Sequence, residues 1–275
     1  MSSQKRELSH PQPFPISKNE MKRSVETVEW TPESAKQIGL DLEGSSPETI
    51  LRWGFEHFAP SIVMATGFGP EGIVLMHLAS EIRPETVVFY LDTDLLFSHT
   101  YELRDELVKR LGIRFERVHS GISLPVQAVR HGDKLWERDP DTCCQIRKVI
   151  PQRQFLANYS AWITGIRRDQ TAFRANTKLV EWDYANKMVK LNPLAAWTND
   201  QVWEHIKTHD LPYNPLHDYG YPSIGCWTCT KAVEPGQDPR SGRWKGWDKV
   251  ECGIHVPGQP DSDDGELPPG YDPVF

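Results

Sequence analysis

The five cysteines of this 275-residue chain fall into three groups: Cys143 and Cys144 adjacent in DTCCQIRKVIPQ, Cys226 and Cys229 as C-x-x-C in SIGCWTCTKAV, and Cys252 alone in VECGIH. The two pairs make a four-thiolate set of the kind that holds zinc or an iron–sulfur cluster. C-x-x-C by itself suits a zinc knuckle. Adjacent cysteines point apart, which is awkward around one tetrahedral ion but natural on a cluster that offers separate irons. The pattern therefore favours iron and sulfide, with zinc as the alternative. Cys252 is left over in a Gly-, Pro- and Asp-rich stretch that has no core to fill, so its thiolate is the candidate nucleophile. Arg240, Arg243 and Lys245 precede it and His255 follows three residues on. Nearby cations lower a thiol pKa from its usual value of about 8.5.

Other residues suit an anion. Arg147 and Lys148 follow Cys144 by three and four positions, which on an α-helix is the same face one turn later; the ordinary reading of such charges is a solvated helical surface. GIRRDQTAFR adds Gly165, Arg167, Arg168 and Arg174, and the planar fork of arginine fits phosphate or sulfate oxygens. SIVMATGFGPEGIVL reads as a strand, a turn holding Thr66, Gly67 and Gly69, and a helix. Such a turn presents backbone N–H groups to an anion, though it also serves as plain connectivity. It lacks the lysine of a Walker A loop. LDTD, from Leu91 through Thr93 to Asp94, ends the next apolar run, where ligands of open α/β sheets collect; a turn capped by acidic residues is the plainer reading.

These residues need elements to hold them. SIVMAT (61–66), TVVFYLDTD (86–94), IRFERV (from Ile113) and AWITGI (161–166) read as buried strands, with helices in 71–79 and 98–112 between them. Ser45 or Ser46 caps a helix running to Phe58 with Leu51, Phe55 and Phe58 on one face. KLVEWD and KMVKLNP read as a hairpin, and Thr198 or Asn199 caps a helix that turns Val202, Trp203 and Ile206 inward. Strands alternating with helices predict an α/β fold, a mostly parallel sheet covered on both faces. Residues 1–40 read as a flexible arm, 41–235 as the α/β domain that binds nucleotide and cluster, and 236–275 as a mobile catalytic tail. The net charge of −7 argues against nucleic acid as a partner. No run is long and apolar enough to span a membrane, and the N-terminal stretch lacks the apolar centre of a secretory signal, so a cytoplasmic location is expected. There, reduced thiols exclude a disulfide framework.

The set CC-x-x-R-K, G-I-R-R-D-Q, W-T-x-x-x-V-W, S-I-G-C-x-x-C-T and a late E-C-G-I-H resembles the assimilatory adenylylsulfate reductase family over roughly residues 50–256. The resemblance implies an adenine nucleotide α-hydrolase-like fold with a modified PP-loop, a [4Fe–4S] cluster on Cys143, Cys144, Cys226 and Cys229, and thioredoxin or glutaredoxin as electron donor. It implies that Lys148, Arg240, Arg243 and His255 meet the phosphosulfate of adenylylsulfate while Cys252 attacks its sulfur. Thr66, Gly67, Gly69, Leu91, Thr93, Gly165 and Arg167 complete the expected substrate site. Relatives acting on the 3′-phosphorylated nucleotide typically lack the four cluster cysteines. A reductase of that nucleotide is the alternative, followed by a PP-loop RNA-modifying enzyme and a non-catalytic zinc module; a homo-oligomer stays open. Two positions depart from the family: Thr66 stands for a common serine, and Asp94 for the glycine of L-D-T-G, adding a carboxylate beside an anionic ligand.

Overall fold

A computed structural model describes residues 29–255. Helix α1 (Pro32–Asp41) and α2 (Pro47–Phe58) lead into β1 (Ile62–Thr66), α3 (Pro70–Ile82), β2 (Val87–Leu91), α4 (Ser98–Leu111) and β3 (Arg114–Val118). Four short helices follow: α5 (Leu124–His131), α6 (Leu135–Arg138), α7 (Pro140–Cys144) and α8 (Ile150–Leu156). Then come β4 (Ala161–Ile163), β5 (Val180–Asp183), β6 (Met188–Leu191) and α9 (Asn199–Thr208). The strands form one sheet in the order β3-β2-β1-β4-β6-β5. Every neighbouring pair is parallel except the β5–β6 hairpin at the edge.

Alternation along the strands produces this sheet. Met64, Val88, Tyr90, Ile163 and Leu191 face one core, shared with helical residues such as Ile50, Leu75, Leu103 and Ile206. Val63, Phe89 and Trp162 face the other, against Leu156 and Phe155 of α8. Period-two side chains buried on both faces require helices on both faces. The chain passes from β1 to β2 and β3 on one side, then returns to β4 on the other. That switch of direction leaves a crevice beyond the carboxyl ends of β1 and β4.

Leu51, Phe55 and Phe58 are buried on α2 and the Ser46 hydroxyl accepts from the Thr49 N–H, as the sequence predicts. The expected arm is shorter at its described end. Pro32–Asp41 is a helix capped by Thr31, whose hydroxyl and Ser34 exchange hydrogen bonds with each other's backbone. Trp30 packs edge-on against Trp53, their ring centroids 5.6 Å apart, and Gly39 comes so near β5 that a Cβ there would lie 2.3 Å from the Val180 carbonyl oxygen. An aromatic anchor and one close backbone contact thus fix a segment whose composition reads as polar. Residues 1–28 of that arm and 256–275 of the tail lie outside the described residues. No described helix is long and apolar enough to cross a membrane.

Helices α3 and α9 meet through three histidines. His77 Nδ1 lies 3.1 Å from His205 Nε2, and the His209 ring is 4.3 Å from that of His205. Burial, and then the neighbouring His209 and His77, hold the His205 imidazolium pKa down at about 4. Unfolded, the same ring takes its proton near pH 6.5. Its contribution to stability is therefore complete above that value and drains away as pH falls towards about 4, because the unfolded chain binds the proton first. The thermal midpoint should drop between about pH 7 and pH 5, and a His205→Gln variant should lose part of that drop. Equal slopes in native and variant melts would place the titration elsewhere.

Candidate active site

The glycine turn leads straight from β1 into the N-terminus of α3. Gly69 caps α3 without a side-chain bond, and Pro70 fills the first helical position. Thr66 Oγ1 accepts from the Phe68 N–H at 3.0 Å, and Phe68 takes a φ of 59° while its ring packs on Tyr90 and Phe115. Gly67 is exposed with open space around its Cα, so a side chain there meets no obstacle. The glycine that packing does require is Gly72: a Cβ would sit 2.5 Å from Thr66 Oγ1. Sequence reasoning passed over it because a glycine inside a helix marks no turn. Gly165 is held for the same reason, 2.9 Å from the Glu71 Cβ.

Beyond β2 the chain turns through Asp92, Thr93 and Asp94. Asp94 has a φ of 58°, the left-handed conformation that favours glycine and that aspartate tolerates. Its carboxylate is not free. Arg147 Nη1 reaches it at 3.0 Å and Arg117 Nη2 at 3.3 Å, so the added negative charge is neutralised inside the protein. Thr93, expected to face substrate, points at sulfur instead: Oγ1 lies 3.2 Å from Cys226 Sγ.

The segment carrying Cys143 and Cys144 continues into a single π-helical turn, Gln145–Val149. The expectation of one α-helical face for Cys144, Arg147 and Lys148 is corrected here, because a π turn shifts the angular register; such turns recur at functional sites. Both basic residues line one cavity with Leu95, Cys143, Cys144, Cys226, Cys229 and Trp244. Neither is a solvated surface charge. Arg147 is 2% exposed and donates to Gln127 Oε1, the carbonyls of Thr93 and Ile122, and Asp94. Burial alone would drive Lys148 towards the neutral amine, but the charges of Cys226, Cys144 and Cys252 outweigh it and raise its pKa. No described carboxylate pairs with Lys148.

Burial pushes the Cys143 thiol up to about 12 and that of Cys144 to about 11, so these sulfurs need a positive partner to stay ionised. The donor set fits an iron–sulfur cluster. Four cysteines surround one cavity without histidine or carboxylate, and the buried Trp244 indole N–H on the same lining has no acceptor. Among the described residues no three of His, Cys, Asp and Glu are arranged to hold a single metal ion. Cluster thiolates bind different irons and need not meet at one point.

The expected tail, described to His255, brings Trp244 into this cavity. Thr230 bridges to Arg243, and the Trp244 N–H donates to the Cys229 carbonyl at 3.1 Å. The guanidinium of Arg243 stacks 4.5 Å from the Trp244 ring centre. Cys252 opens on a groove of about 380 Å³ lined by Asp141, Thr142, Gln145, Lys249, Glu251 and Gly253. It is close enough to Cys144 and Lys148 for its charge to raise the pKa of both. His255 stacks on Trp162, centroids 5.6 Å apart, and burial with Lys190, Arg174 and Arg240 nearby keeps it neutral. Arg240 Nε, Arg243 Nε and His255 Nδ1 are buried without hydrogen-bond partners.

Some expected residues are engaged elsewhere. Arg167 is 5% exposed and spent on Glu71, at 3.0 Å, and on Asp169. Arg168 makes a surface fork to Glu43, and Lys245 is exposed. Leu91 ends β2 in register with Val118 of β3. Glu71 and Gln170 went unnoticed in the sequence. Gln170 Nε2 donates to Glu71 at 3.0 Å, and its Oε1 accepts from Arg174 at 2.6 Å and from the Arg167 N–H at 3.0 Å. A lone glutamate in a helix's first turn and a lone glutamine in a short turn carry no spacing signal that could have found them.

Residues 61–232 match the phosphoadenosine phosphosulfate reductase domain. A Salinibacter ruber protein named adenosine 5′-phosphosulfate reductase is 48% identical, over 86% of this chain and 93% of its own. One of the same name from Shouchella clausii is 45% identical, over 82% and 95%. Among solved structures, a phosphoadenylyl-sulfate reductase from Candida auris, crystallised with phosphate, superposes with a TM-score of 0.64 at 30% identity, covering 75% of this chain and 99% of that one. An FMN adenylyltransferase from Candida glabrata, 16% identical with a TM-score of 0.50, shares the fold over 82% of this chain and 79% of its own. The chain belongs to the family of the phosphoadenosine phosphosulfate reductase domain.

Proposed function

We propose that this protein reduces adenylylsulfate to sulfite and AMP at the expense of a dithiol protein such as thioredoxin or glutaredoxin. The observation that carries the reading is the seating of the lone cysteine, Cys252, near Lys148 and Arg240, in a segment where two buried guanidinium N–H groups, on Arg240 and Arg243, lack acceptors and His255 Nδ1 lacks a partner. Buried donors without partners are costly, about 1–3 kcal/mol each, and they await an acceptor. An anion with several oxygens supplies it. The names of the relatives in Salinibacter ruber and Shouchella clausii support the unphosphorylated nucleotide.

The thiolate of Cys252 attacks the sulfonyl sulfur, the bond from that sulfur to the phosphate oxygen breaks, and AMP leaves with the electron pair. Lys148, Arg240 and Arg243 stabilise charge growing on the departing phosphate. Neutral His255 offers Nδ1 to an oxygen or a proton. Thr66 and the free N–H groups at the start of α3 hold another anionic part of the nucleotide. The enzyme is left as an S-sulfocysteine. A donor thiolate then attacks the Cys252 sulfur, sulfite departs with the pair of that S–S bond, and the donor's second thiol resolves the mixed disulfide, so both electrons come from the donor. A [4Fe–4S] cluster on Cys143, Cys144, Cys226 and Cys229 supplies, when bound, a polarising metal–thiolate centre beside Lys148. Arg167 takes no part in binding the anion; its pair with Glu71 holds α3 against Gly165.

Three measurements test this. Mixing the protein with adenylylsulfate in the absence of donor should add one SO₃ group to the peptide containing Cys252 and release AMP in a single burst. Cys252→Ser should abolish both while leaving iron in place, and an adduct on any other residue would refute the assignment. Replacing any of Cys143, Cys144, Cys226 or Cys229 by Ser should remove most iron and sulfide; a variant retaining full iron would strike that cysteine from the ligand set. Lys148→Ala and Arg243→Ala should each lower kcat/KM at least about tenfold, the loss of one charge-assisted contact of about 1.5–3 kcal/mol. Unchanged kinetics would return those side chains to a structural role.

A further inference from the structure

Glu251 immediately precedes the nucleophile, and its side chain is 7% exposed. Its carboxylate is gripped as a fork by Arg174, Nε to Oε1 at 2.8 Å and Nη2 to Oε2 at 2.7 Å. Arg240 adds a contact at 3.4 Å and donates to the Val250 carbonyl at 2.7 Å. Arg174 belongs to the body of the fold, in the loop after β4, so this fork ties the Cys252 segment to a residue 77 positions away. Arg174 is itself aimed by Gln170, and Gln170 by Glu71 in the first turn of α3. A continuous line of hydrogen bonds thus runs from the start of α3 to the residue beside Cys252. On the other flank Lys249 pairs with Asp141 of α7.

We infer that Glu251 is a positioning residue for Cys252, and that Arg174 serves the thiol segment through it rather than the nucleotide. A carboxylate this buried is tolerable only with its cation in place, and a bidentate pair also fixes direction. The lock sets where the neighbouring sulfur stands when it meets the substrate. Releasing it frees residues 249–255 to offer Cys252 to a second protein. The role of Cys252 in this inference rests on the proposed reaction, whereas the lock itself does not depend on it.

The test is a double-mutant cycle on full-length, iron-loaded protein, comparing Glu251→Gln, Arg174→Gln and the double variant, with iron content and melting curves as checks on folding. Alkylation of Cys252 by iodoacetamide, followed by peptide mass spectrometry, should accelerate about tenfold in each single variant. The double variant should be no faster than either, since both changes break one interaction. Glu251→Asp, which keeps the charge on a shorter stem, should fall between native and Glu251→Gln. In the same variants the burst of adduct formation should slow while adenylylsulfate affinity stays within about twofold. Native alkylation rates in both single variants would overturn the lock. Faster alkylation with an undiminished burst would overturn the positioning role, and so would a loss of affinity in Arg174→Gln that persists in the Glu251→Gln background. Absence of any adduct on Cys252 in native protein would instead sink the proposed reaction while leaving the alkylation cycle to judge the lock.

Discussion

The guanidinium of Arg147 joins the parts of this site. A buried charge is stable only when its donors are met, and these are met by Gln127 from α5, by the backbone at Thr93 and Ile122, and by Asp94. The π turn that follows Cys143 and Cys144 is thereby fastened to the loop beyond β2. That loop in turn seats the other pair, since Leu96 bridges to Cys226 and Thr93 reaches its sulfur. Two cysteine pairs remote in sequence become neighbours because one arginine and one loop lie between them.

Much of the framework could be read from the chain. Short apolar runs gave the parallel strands, and capping residues such as Ser46 and Thr198 marked helix starts because those signals are local. The cysteines, too, declared themselves by spacing. What stayed hidden depends on partners far away: the inward turn of Arg147, the engagement of Arg167 by Glu71, the bond from Thr93 to Cys226. The short helices α5 to α8 escaped notice because each holds too few residues to establish a period. Helix α1 was masked by a polar composition and revealed only through Trp30 on Trp53 and Gly39 on β5.

Charge at the site is arranged by pairing. The chain carries a net −7, yet the residues around Cys252 are cationic, and their carboxylate partners decide which are open. Arg117, Arg147, Arg167 and Arg174 are each engaged by an acidic side chain. Lys148 and Arg243 have no described carboxylate against them. Asp94, which would repel an anion if bare, is held by two of the engaged arginines, and so its charge is offset where it stands.

The division of the cysteines between α7 and the Trp227–Cys229 turn also bears on how the molecule is made. About eighty residues separate Cys144 from Cys226, which at a synthesis rate of about 5–20 residues per second is a delay of several seconds on the ribosome. During that interval β4, β5, β6 and α9 are made, while the first pair of thiols has no counterpart. A centre held by both pairs could close only after every strand and helix between them has been made.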